Sequence, residues 1–227
     1  LPTAKESEIG PDGHPKRGGF LPPVPLPRRM WAGGRLTFDG PLAVGETVTR
    51  TSRIVSIESK TGRSGTLVFV TVHHDYANAR GRAIHEEHDI VYREAPAPGA
   101  TPPVPPRAPD GEDYGRDIAP DPVLLFRYSA ITFNGHRIHY DRDYVTQVEG
   151  YPGLIVHGPL IATLLVDLLR RERPGARLRQ FDFRAVSPLF DIHRFRVCGR
   201  DEGGGRHALW ARNHEGALAM QATAATD

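Results

Sequence analysis

Residues 159–172 read PLIATLLVDLLRRE, and this stretch decides the fold. It predicts one helix, because proline is tolerated in the first turn of a helix and Pro174 and Gly175 follow its end. The leucines, together with Ile161 and Val166, leave the helix almost no polar face. A helix of this kind must be enclosed by other structure. We expect a curved sheet of antiparallel strands to enclose it.

Runs with the composition of β-strands lie on both sides of this helix in the sequence. Before it they cover residues 47–57, 67–75 and 83–92. After it they cover residues 178–185, 193–199, 207–213 and 217–226, with a hairpin at residues 203–205. A buried helix wrapped by antiparallel strands is the hot-dog arrangement. The sequence therefore predicts an α+β fold with two hot-dog modules in tandem, of which the first has lost its central helix or has it upstream of Leu1.

Proline and glycine divide the chain into four parts. Residues 1–34 are rich in both and predict an extended arm that lies on the body of the protein. Residues 35–95 form the predicted N-terminal module. A proline-rich stretch, residues 96–120, predicts a semi-rigid linker. Residues 121–227 form the predicted C-terminal module, in which we expect the functional site.

Composition limits the classes of function. The 227 residues are 39% hydrophobic and 25% charged, which is typical of a folded, water-soluble protein. A net charge of +2 does not favour nucleic-acid binding, and no apolar run reaches the roughly 18 residues of a membrane span. The single cysteine, Cys198, excludes an internal disulfide and favours a reducing, cytoplasmic location. We expect a buried, unreactive thiol there, because Cys198 lies in an alternating apolar run.

Polar side chains are densest at residues 128–143, where a β-like run is followed by histidines, carboxylates and an asparagine. A second cluster, His157 and Gly158, opens the buried helix. The free backbone N–H groups of a helix start can hold a carbonyl oxygen as it gains negative charge. A neutral imidazole can move a proton near pH 7. Together these groups predict a site that polarises a carbonyl group and hydrates or dehydrates the bond next to it.

The run FNGHRIHYD at residues 133–141, followed by HGPL at 157–160, resembles the signature of the MaoC-like hot-dog hydratases and dehydratases. It is most similar to the branch that contains hydroxyacyl-thioester dehydratase type 2 and 3-methylfumaryl-CoA (mesaconyl-CoA) hydratase. The first half is similar to the N-terminal module of that hydratase, with GGRLTFDGPLAVGE at 33–46, KTGRSGTLVFVTV at 60–72 and EEHDIVYRE at 86–94. The resemblance spans most of the chain.

The resemblance implies a role for each residue of the motif. Asn134 falls at the position of the family's catalytic aspartate, His136 at its asparagine and His139 at its catalytic histidine. The asparagine is a departure, because its side chain cannot take or give a proton. We therefore expect His139 to transfer the proton, while Asn134 and His136 position water. The backbone N–H groups around His157 and Gly158 would polarise the thioester carbonyl.

Four neighbouring residues complete the predicted site. Tyr128 and Arg137 are candidate substrate-binding residues, and Asp141 and Asp143 are fallback carboxylates. Arg137 is equally consistent with an ion pair to Asp141 or Asp143. Asp141 also fits the N-cap of a short helix over residues 142–148.

The resemblance implies hydration of a 2,3-enoyl thioester, or the reverse dehydration of a 3-hydroxyacyl thioester, with acyl-CoA as substrate and no cofactor. A small, branched dicarboxylic enoyl-CoA such as 3-methylfumaryl-CoA is the first expectation. The alternatives are a dehydratase of fatty-acyl chains and a non-catalytic, acyl-CoA-binding hot-dog protein. We expect a homodimer or a self-contained double module, with no nucleic-acid or membrane partner.

Structural interpretations stay open beside these functional ones. The Asn-Gly pair at residues 134–135 is by itself a strong hairpin signal. His136, His139 and Asp141 form a possible set of metal ligands, although we predict no metal site. His85 and His88 lie on a predicted strand, which would put them on opposite faces and favours surface positions. The arginines at the end of the helix fit the helix dipole as well as a phosphate, and we expect both tryptophans to pack.

Overall fold

The computed structural model describes residues 4–62, 65–95 and 103–227, which form one nine-stranded antiparallel sheet with two α-helices. The strands are β1 (Arg28–Phe38), β2 (Thr49–Gly62), β3 (Gly65–Asn78), β4 (Gly81–Arg93), β5 (Tyr114–Ile118), β6 (Leu178–Ala185), β7 (Phe195–Gly203), β8 (Arg206–Arg212) and β9 (Leu218–Thr226). The helices are α1 (Pro122–Thr132) and α2 (Gly158–Glu172). The strand order in the sheet is β2-β3-β4-β1-β6-β9-β8-β7-β5.

The sheet consists of two halves that meet at β1. This strand pairs with β4 on one side and with β6 on the other, so the strands of the N-terminal half continue into those of the C-terminal half. The predicted tandem hot-dog fold is confirmed, and its two sheets join within one chain. Whether the chain also forms a homodimer stays a prediction.

The second half is built around α2, as the sequence predicted. The helix packs against β5, β7, β8 and β9 and ends at Arg173. It keeps an exposed side at Thr163 and Arg170, so its enclosure is less complete than its composition suggested. Its buried residues are Leu160, Ile161, Ala162, Leu165, Leu168 and Leu169. The apolar side of α2 therefore supplies the centre of the main hydrophobic core.

The arm takes the place of a central helix in the first half. Among the described residues of that half there is no α-helix. Instead Val24 is buried with Val70, Val72, Ile90 and Tyr92, and Leu21 and Leu26 pack against this cluster. Arg17 fixes the path of the arm, because its guanidinium donates hydrogen bonds to the carbonyl oxygens of Val24 (2.8 Å) and Pro27 (2.6 Å).

Two predicted boundaries fall inside strands. β1 begins at Arg28, within the stretch predicted as arm, because residues 28–38 find a partner strand on each side. β5 lies within the predicted linker, where it pairs with β7 at the edge of the sheet. The prolines at residues 96–102 of that linker lie outside the described residues.

The β-like run predicted at the start of residues 128–143 is wrong. Residues 128–132 are the end of α1. This helix begins with a strong signal, because the side chain of Asp121 accepts a hydrogen bond from Leu124 N at 2.8 Å and Pro122 occupies the first turn. The sequence did not predict this helix, because the apolar residues of α1 do not repeat with the spacing of a single helix face.

Other predictions are settled by packing. The hairpin at residues 203–205 is confirmed between β7 and β8. Cys198 is buried, and burial raises the pKa of its thiol to about 11, as expected of an unreactive cysteine. His88 is not a surface residue, because its ring packs 4.9 Å from that of Trp31 and burial lowers its pKa to about 4. None of the helices in the described part of the chain has the length and hydrophobicity of a transmembrane segment.

Candidate active site

The motif at residues 133–141 lies on a loop between α1 and a short 3-10 turn, Arg137–His139. Phe133 ends α1 in the left-handed conformation, with φ 52°. Asn134 then closes a local turn, because its Oδ1 accepts a hydrogen bond from His136 N at 3.1 Å. The hairpin interpretation of the Asn-Gly pair is therefore wrong. The loop turns the histidines of the motif towards the start of α2.

His139 is held as a neutral base. Its side chain is buried, and its Nδ1 lies 2.7 Å from the carbonyl oxygen of Ile155. Since a carbonyl only accepts, Nδ1 carries the proton and Nε2 keeps a free lone pair. Burial lowers the pKa of His139 to about 4, against an opposing effect of the hydrogen bond to Ile155. At pH 7 the ring is neutral and ready to accept a proton at Nε2.

His157 stacks on His139 at the first residue before α2. The two ring centroids lie 3.7 Å apart at an interplanar angle of 19°. His157 is fully buried, and its Nε2 lies 2.8 Å from Ser129 Oγ, while its Nδ1 has no hydrogen-bond partner in the described part of the chain. Burial, with a smaller effect of His139, lowers the pKa of His157 to about 2. Tyr128 packs edge-on against the same ring at 4.9 Å.

The start of α2 offers space next to these rings. A Cβ atom added at Gly158 would meet no other atom within 4 Å. The first backbone N–H groups of any helix have no intrahelical acceptor. A substrate carbonyl could therefore approach the N-terminus of α2 beside His157. The structure thus brings His157, Gly158 and His139 together, as the sequence predicted.

Two of the predicted site residues, Arg137 and Asp141, have structural partners. Arg137 donates from Nε and Nη2 to Asp141 Oδ2 at 2.9 and 2.8 Å. Asp141 Oδ1 accepts from Tyr144 N at 3.0 Å, which confirms its capping of the short helical segment over residues 142–148. Asp143 is exposed. Because Asp141 faces these groups, the structure does not support a metal site of His136, His139 and Asp141. The absence of any metal site stays a prediction.

Two residues of the arm lie at the motif, and sequence reasoning missed both. The ring of His14 lies 4.0 Å from that of His136, which in turn lies 5.6 Å from that of His139. Asp12 Oδ2 lies 3.2 Å from His14 Nδ1. The donor atoms of Asp12, His14 and His136 all lie within 4.8 Å of one another. A turn signal at residues 10–13 was visible in the sequence, but nothing in it pointed to a contact with residues 134–137.

The site therefore consists of a neutral imidazole stack, a helix start and an acidic group from the arm. The sequence profile of the family described as hydroxyacyl-thioester dehydratase type 2 matches residues 1–191. The chain belongs to this family. The predicted resemblance to MaoC-like hot-dog hydratases is confirmed.

Two relatives are similar to nearly the whole chain. A mesaconyl-C(4)-CoA hydratase of Chloroflexus aurantiacus is 50% identical over 227 residues, covering 98% of this chain and 79% of the relative. A mitochondrial hydroxyacyl-thioester dehydratase type 2 of Schizosaccharomyces pombe is 27% identical over 236 residues, covering 92% and 76%.

Solved structures agree on the fold. A MaoC-like dehydratase from Phytophthora capsici has a TM-score of 0.72 at 19% identity, covering 92% of this chain and 76% of that one. The peroxisomal multifunctional enzyme type 2 of Drosophila melanogaster has a TM-score of 0.70 at 15% identity, covering 87% of this chain and 37% of the enzyme. At these identities the likeness concerns the fold alone.

Proposed function

We propose that this member of the dehydratase family adds water reversibly to the double bond of a 2,3-enoyl thioester of CoA, forming a 3-hydroxyacyl thioester. The observation that carries the proposal is His139, whose Nδ1 is fixed by the carbonyl oxygen of Ile155 beside the start of α2. Family membership and the 50% identity to a mesaconyl-C(4)-CoA hydratase support the same reaction.

In the proposed mechanism His139 Nε2 takes a proton from a water molecule, whose oxygen attacks C3 of the substrate. Asn134 orients water or substrate, because an amide cannot carry the proton. The N–H groups at Gly158 and the following turn stabilise the charge that develops on the thioester oxygen. Tyr128 and His157 form the wall behind the reacting atoms. No cofactor takes part in this mechanism.

The substrate that we propose is a small enoyl-CoA with a free carboxylate, such as 3-methylfumaryl-CoA. The name of the 50% identical relative describes such a compound. Arg29 on β1 supports it, because its guanidinium is half-buried and makes no hydrogen bond or ion pair within the described residues. It lies near enough to His14 and His136 to lower the pKa values of both. A carboxylate entering the site would neutralise this arginine.

The first test is turnover. Enzyme added to 3-methylfumaryl-CoA should remove the absorbance of the conjugated thioester, and His139→Ala should lower kcat about 10²- to 10⁴-fold because the base is lost. The exposed His193, changed to Gln, is the matched control and should leave kcat unchanged. A His139→Ala enzyme with wild-type turnover would refute the assignment.

The second test concerns the substrate carboxylate. Arg29→Gln should raise KM for 3-methylfumaryl-CoA about 10- to 100-fold, as expected for the loss of one charged hydrogen bond. It should leave KM for crotonyl-CoA, which lacks the carboxylate, unchanged. Arg53→Gln, at an exposed position of β2, serves as control. An equal effect on both substrates would argue against a carboxylate site at Arg29.

The same assay over a panel of enoyl-CoA thioesters separates the alternatives. Preference for long, unbranched chains would identify a fatty-acyl dehydratase. Binding without any loss of absorbance would identify a non-catalytic acyl-CoA-binding protein. The predicted cytoplasmic location belongs to this proposal and can be checked by fractionation of cells.

A further inference from the structure

The arm forms a tight hairpin over residues 9–15. Gly10 N donates to the carbonyl oxygen of His14 at 2.7 Å, Gly13 N donates to that of Gly10 at 3.0 Å, and Ile9 and Pro15 form an isolated β-bridge. This hairpin holds its own shape through backbone hydrogen bonds. It presents Asp12 and His14 on the side that meets the motif.

The hairpin is fixed on the motif by backbone contacts. Arg137 N donates to the carbonyl oxygen of Asp12 at 2.9 Å. Gly13 has φ +85°, and a Cβ added there would lie 1.9 Å from the carbonyl oxygen of Gly135. A Cβ added at Gly135 would lie 2.7 Å from the carbonyl oxygen of Gly13. The two segments therefore touch closely, and the position of the hairpin relative to the motif is well defined.

Asp12 and His14 form a carboxylate–imidazole pair. Asp12 Oδ1 accepts a hydrogen bond from His14 N at 3.0 Å, and Oδ2 lies 3.2 Å from His14 Nδ1. Burial raises the pKa of Asp12, but the hydrogen bonds from His14 outweigh it and hold the pKa well below its usual value. A charged Asp12 keeps the proton on His14 Nδ1. The other nitrogen, Nε2, is then the position that gains or loses a proton.

The Asp12–His14 pair offers the site a proton donor, which the motif residues do not supply. Asn134 cannot transfer a proton, and the neutral His139, whose single proton is on Nδ1, has none to give at Nε2. The ring of His14 contacts that of His136 at 4.0 Å, and it is close enough to His139 to lower the pKa of that group. The side chain of His14 is 18% exposed, so its ring is not sealed from solvent.

We propose that His14 is a second catalytic residue of the site and that Asp12 positions it. The proposal rests on the proposed hydration. His139 Nε2 removes a proton from water while the oxygen bonds to C3. The C2–C3 π electrons take up the proton of His14 Nε2–H at C2. The water O–H bond, the Nε2–H bond of the His14 imidazolium and the C2–C3 π bond break, while the C3–O bond, the C2–H bond and the Nε2–H bond of His139 form. Proton exchange with water then restores both rings.

Other charged and titratable groups face His14 and set its protonation. They are Asp12 and Arg17 of the arm, Arg29 of β1, and the rings of His136 and His139 on the motif loop. Burial lowers the pKa of His14, and Asp12 opposes this effect. Removing the carboxylate therefore lowers the pKa of His14 further, which moves the pH range in which it can act as an acid.

The test uses the full chain with two variants and two matched controls. His14→Gln should lower kcat about 10²- to 10⁴-fold with KM within threefold of wild type. The same variant should lose exchange of the C2 proton of the 3-hydroxyacyl product with D₂O. Asp12→Asn should move the alkaline limb of the kcat–pH profile to lower pH, which a merely structural role would not do. Glu8→Gln, in the exposed part of the arm, and His193→Gln should behave as wild type.

Each outcome decides for or against the pair. If added imidazole restores the turnover of a His14→Gly variant, the catalytic role of His14 is supported even when the arm of that variant is loosened. If imidazole does not restore turnover, the role is overturned. Wild-type turnover in His14→Gln overturns the pair while leaving the proposed hydration intact. Activity that is lost to a chelator and restored by a divalent metal ion would identify a metal site at Asp12, His14 and His136 instead. A wild-type chain that hydrates no enoyl-CoA would overturn the proposed function itself.

Discussion

The chemistry at the centre of this protein depends on single nitrogen atoms. His139 donates at Nδ1 to Ile155, and His157 uses Nε2 towards Ser129, so the two stacked rings are held by opposite nitrogens. In the described part of the chain, each ring keeps one nitrogen that makes no hydrogen bond to the protein, Nε2 in His139 and Nδ1 in His157. In His139 that nitrogen is the proposed base, and in His157 it is buried behind the stack. The orientation of the pair therefore depends on Ser129 as much as on the histidines.

Ser129→Ala tests this dependence. The change leaves both nitrogens of the buried His157 without a partner, so we expect the free energy of unfolding to fall by about 1 to 3 kcal/mol. Urea denaturation measures it. Thr132→Ala, a loss of another hydroxyl on α1, is the comparison and should cost less, because Thr132 is not buried. Equal losses would show that Ser129 contributes only to the helix.

Sequence identified the residues that are neighbours in the chain and missed those that are not. Asn134, His136 and His139 share one loop, and His157 opens the helix that follows, so the motif could be read directly. The hydrogen-bond partners of His139 and His157 could not be predicted, because the partner of His139 is a backbone oxygen, at Ile155, and every residue has one. The roles of Arg137 and Asp141 were left open by the sequence, and their mutual ion pair resolves them.

At the scale of the element, the arm hairpin depends on two glycines that touch. Gly13→Ala places a methyl group at 1.9 Å from a carbonyl oxygen, in a left-handed conformation that itself costs about 1 to 2 kcal/mol. We expect the hairpin to detach while the sheet stays folded. Hydrogen exchange at Arg137 N, which donates to the arm, should then become fast.

The control for this change is Gly19→Ala in the same arm. A Cβ at Gly19 would meet nothing within 4 Å, so protection of Arg137 N should be unchanged. Persistent protection in Gly13→Ala would mean that the hairpin can shift without leaving the motif.

Elements were predictable where one pattern dominated. α2 and the strands of the second half follow clear apolar periodicities, and their positions agree with the sequence to within a few residues. α1 was missed, because its exposed side carries Val123, Phe126 and Ile131 and so lacks an amphipathic pattern. The arm has no periodicity at all, and its position follows from tertiary contacts.

At the scale of the whole molecule, buried neutral histidines make stability depend on pH. Burial lowers the pKa to about 4 for His88 and His139 and to about 2 for His136 and His157. In the unfolded chain, each of these histidines takes up a proton near pH 6.5. Below that pH the unfolded chain binds more protons, so stability is complete above about pH 6.5 and falls as pH decreases, by up to about 1.4 kcal/mol per pH unit for each histidine.

Urea unfolding at pH 7.5 and pH 5.0 measures this loss. His88→Gln should reduce the difference between the two pH values, because one such group is removed outside the candidate site. His214→Gln, at an exposed position, should leave the difference unchanged. Equal stability at both pH values would contradict neutral burial of these rings.

The tandem architecture was predictable from the two sets of strands, but the way in which the halves cooperate was not. β1 was assigned in part to the arm, although it is the strand that joins both halves. The composition around the start of β1 is rich in glycine and proline and predicted an arm. The segment is a strand because it pairs with β4 on one side and β6 on the other. Long-range pairing of this kind leaves no trace in a local pattern.

The contact between Gly13 and Gly135 also orders events during synthesis. Residues 9–15 leave the ribosome well before residues 134–137, which form their docking surface. Until then the hairpin lacks the surface on which it docks. A nascent chain therefore carries strands β1 to β4 without a complete site, and we expect catalytic competence only when the motif loop has emerged and the arm hairpin can dock on it.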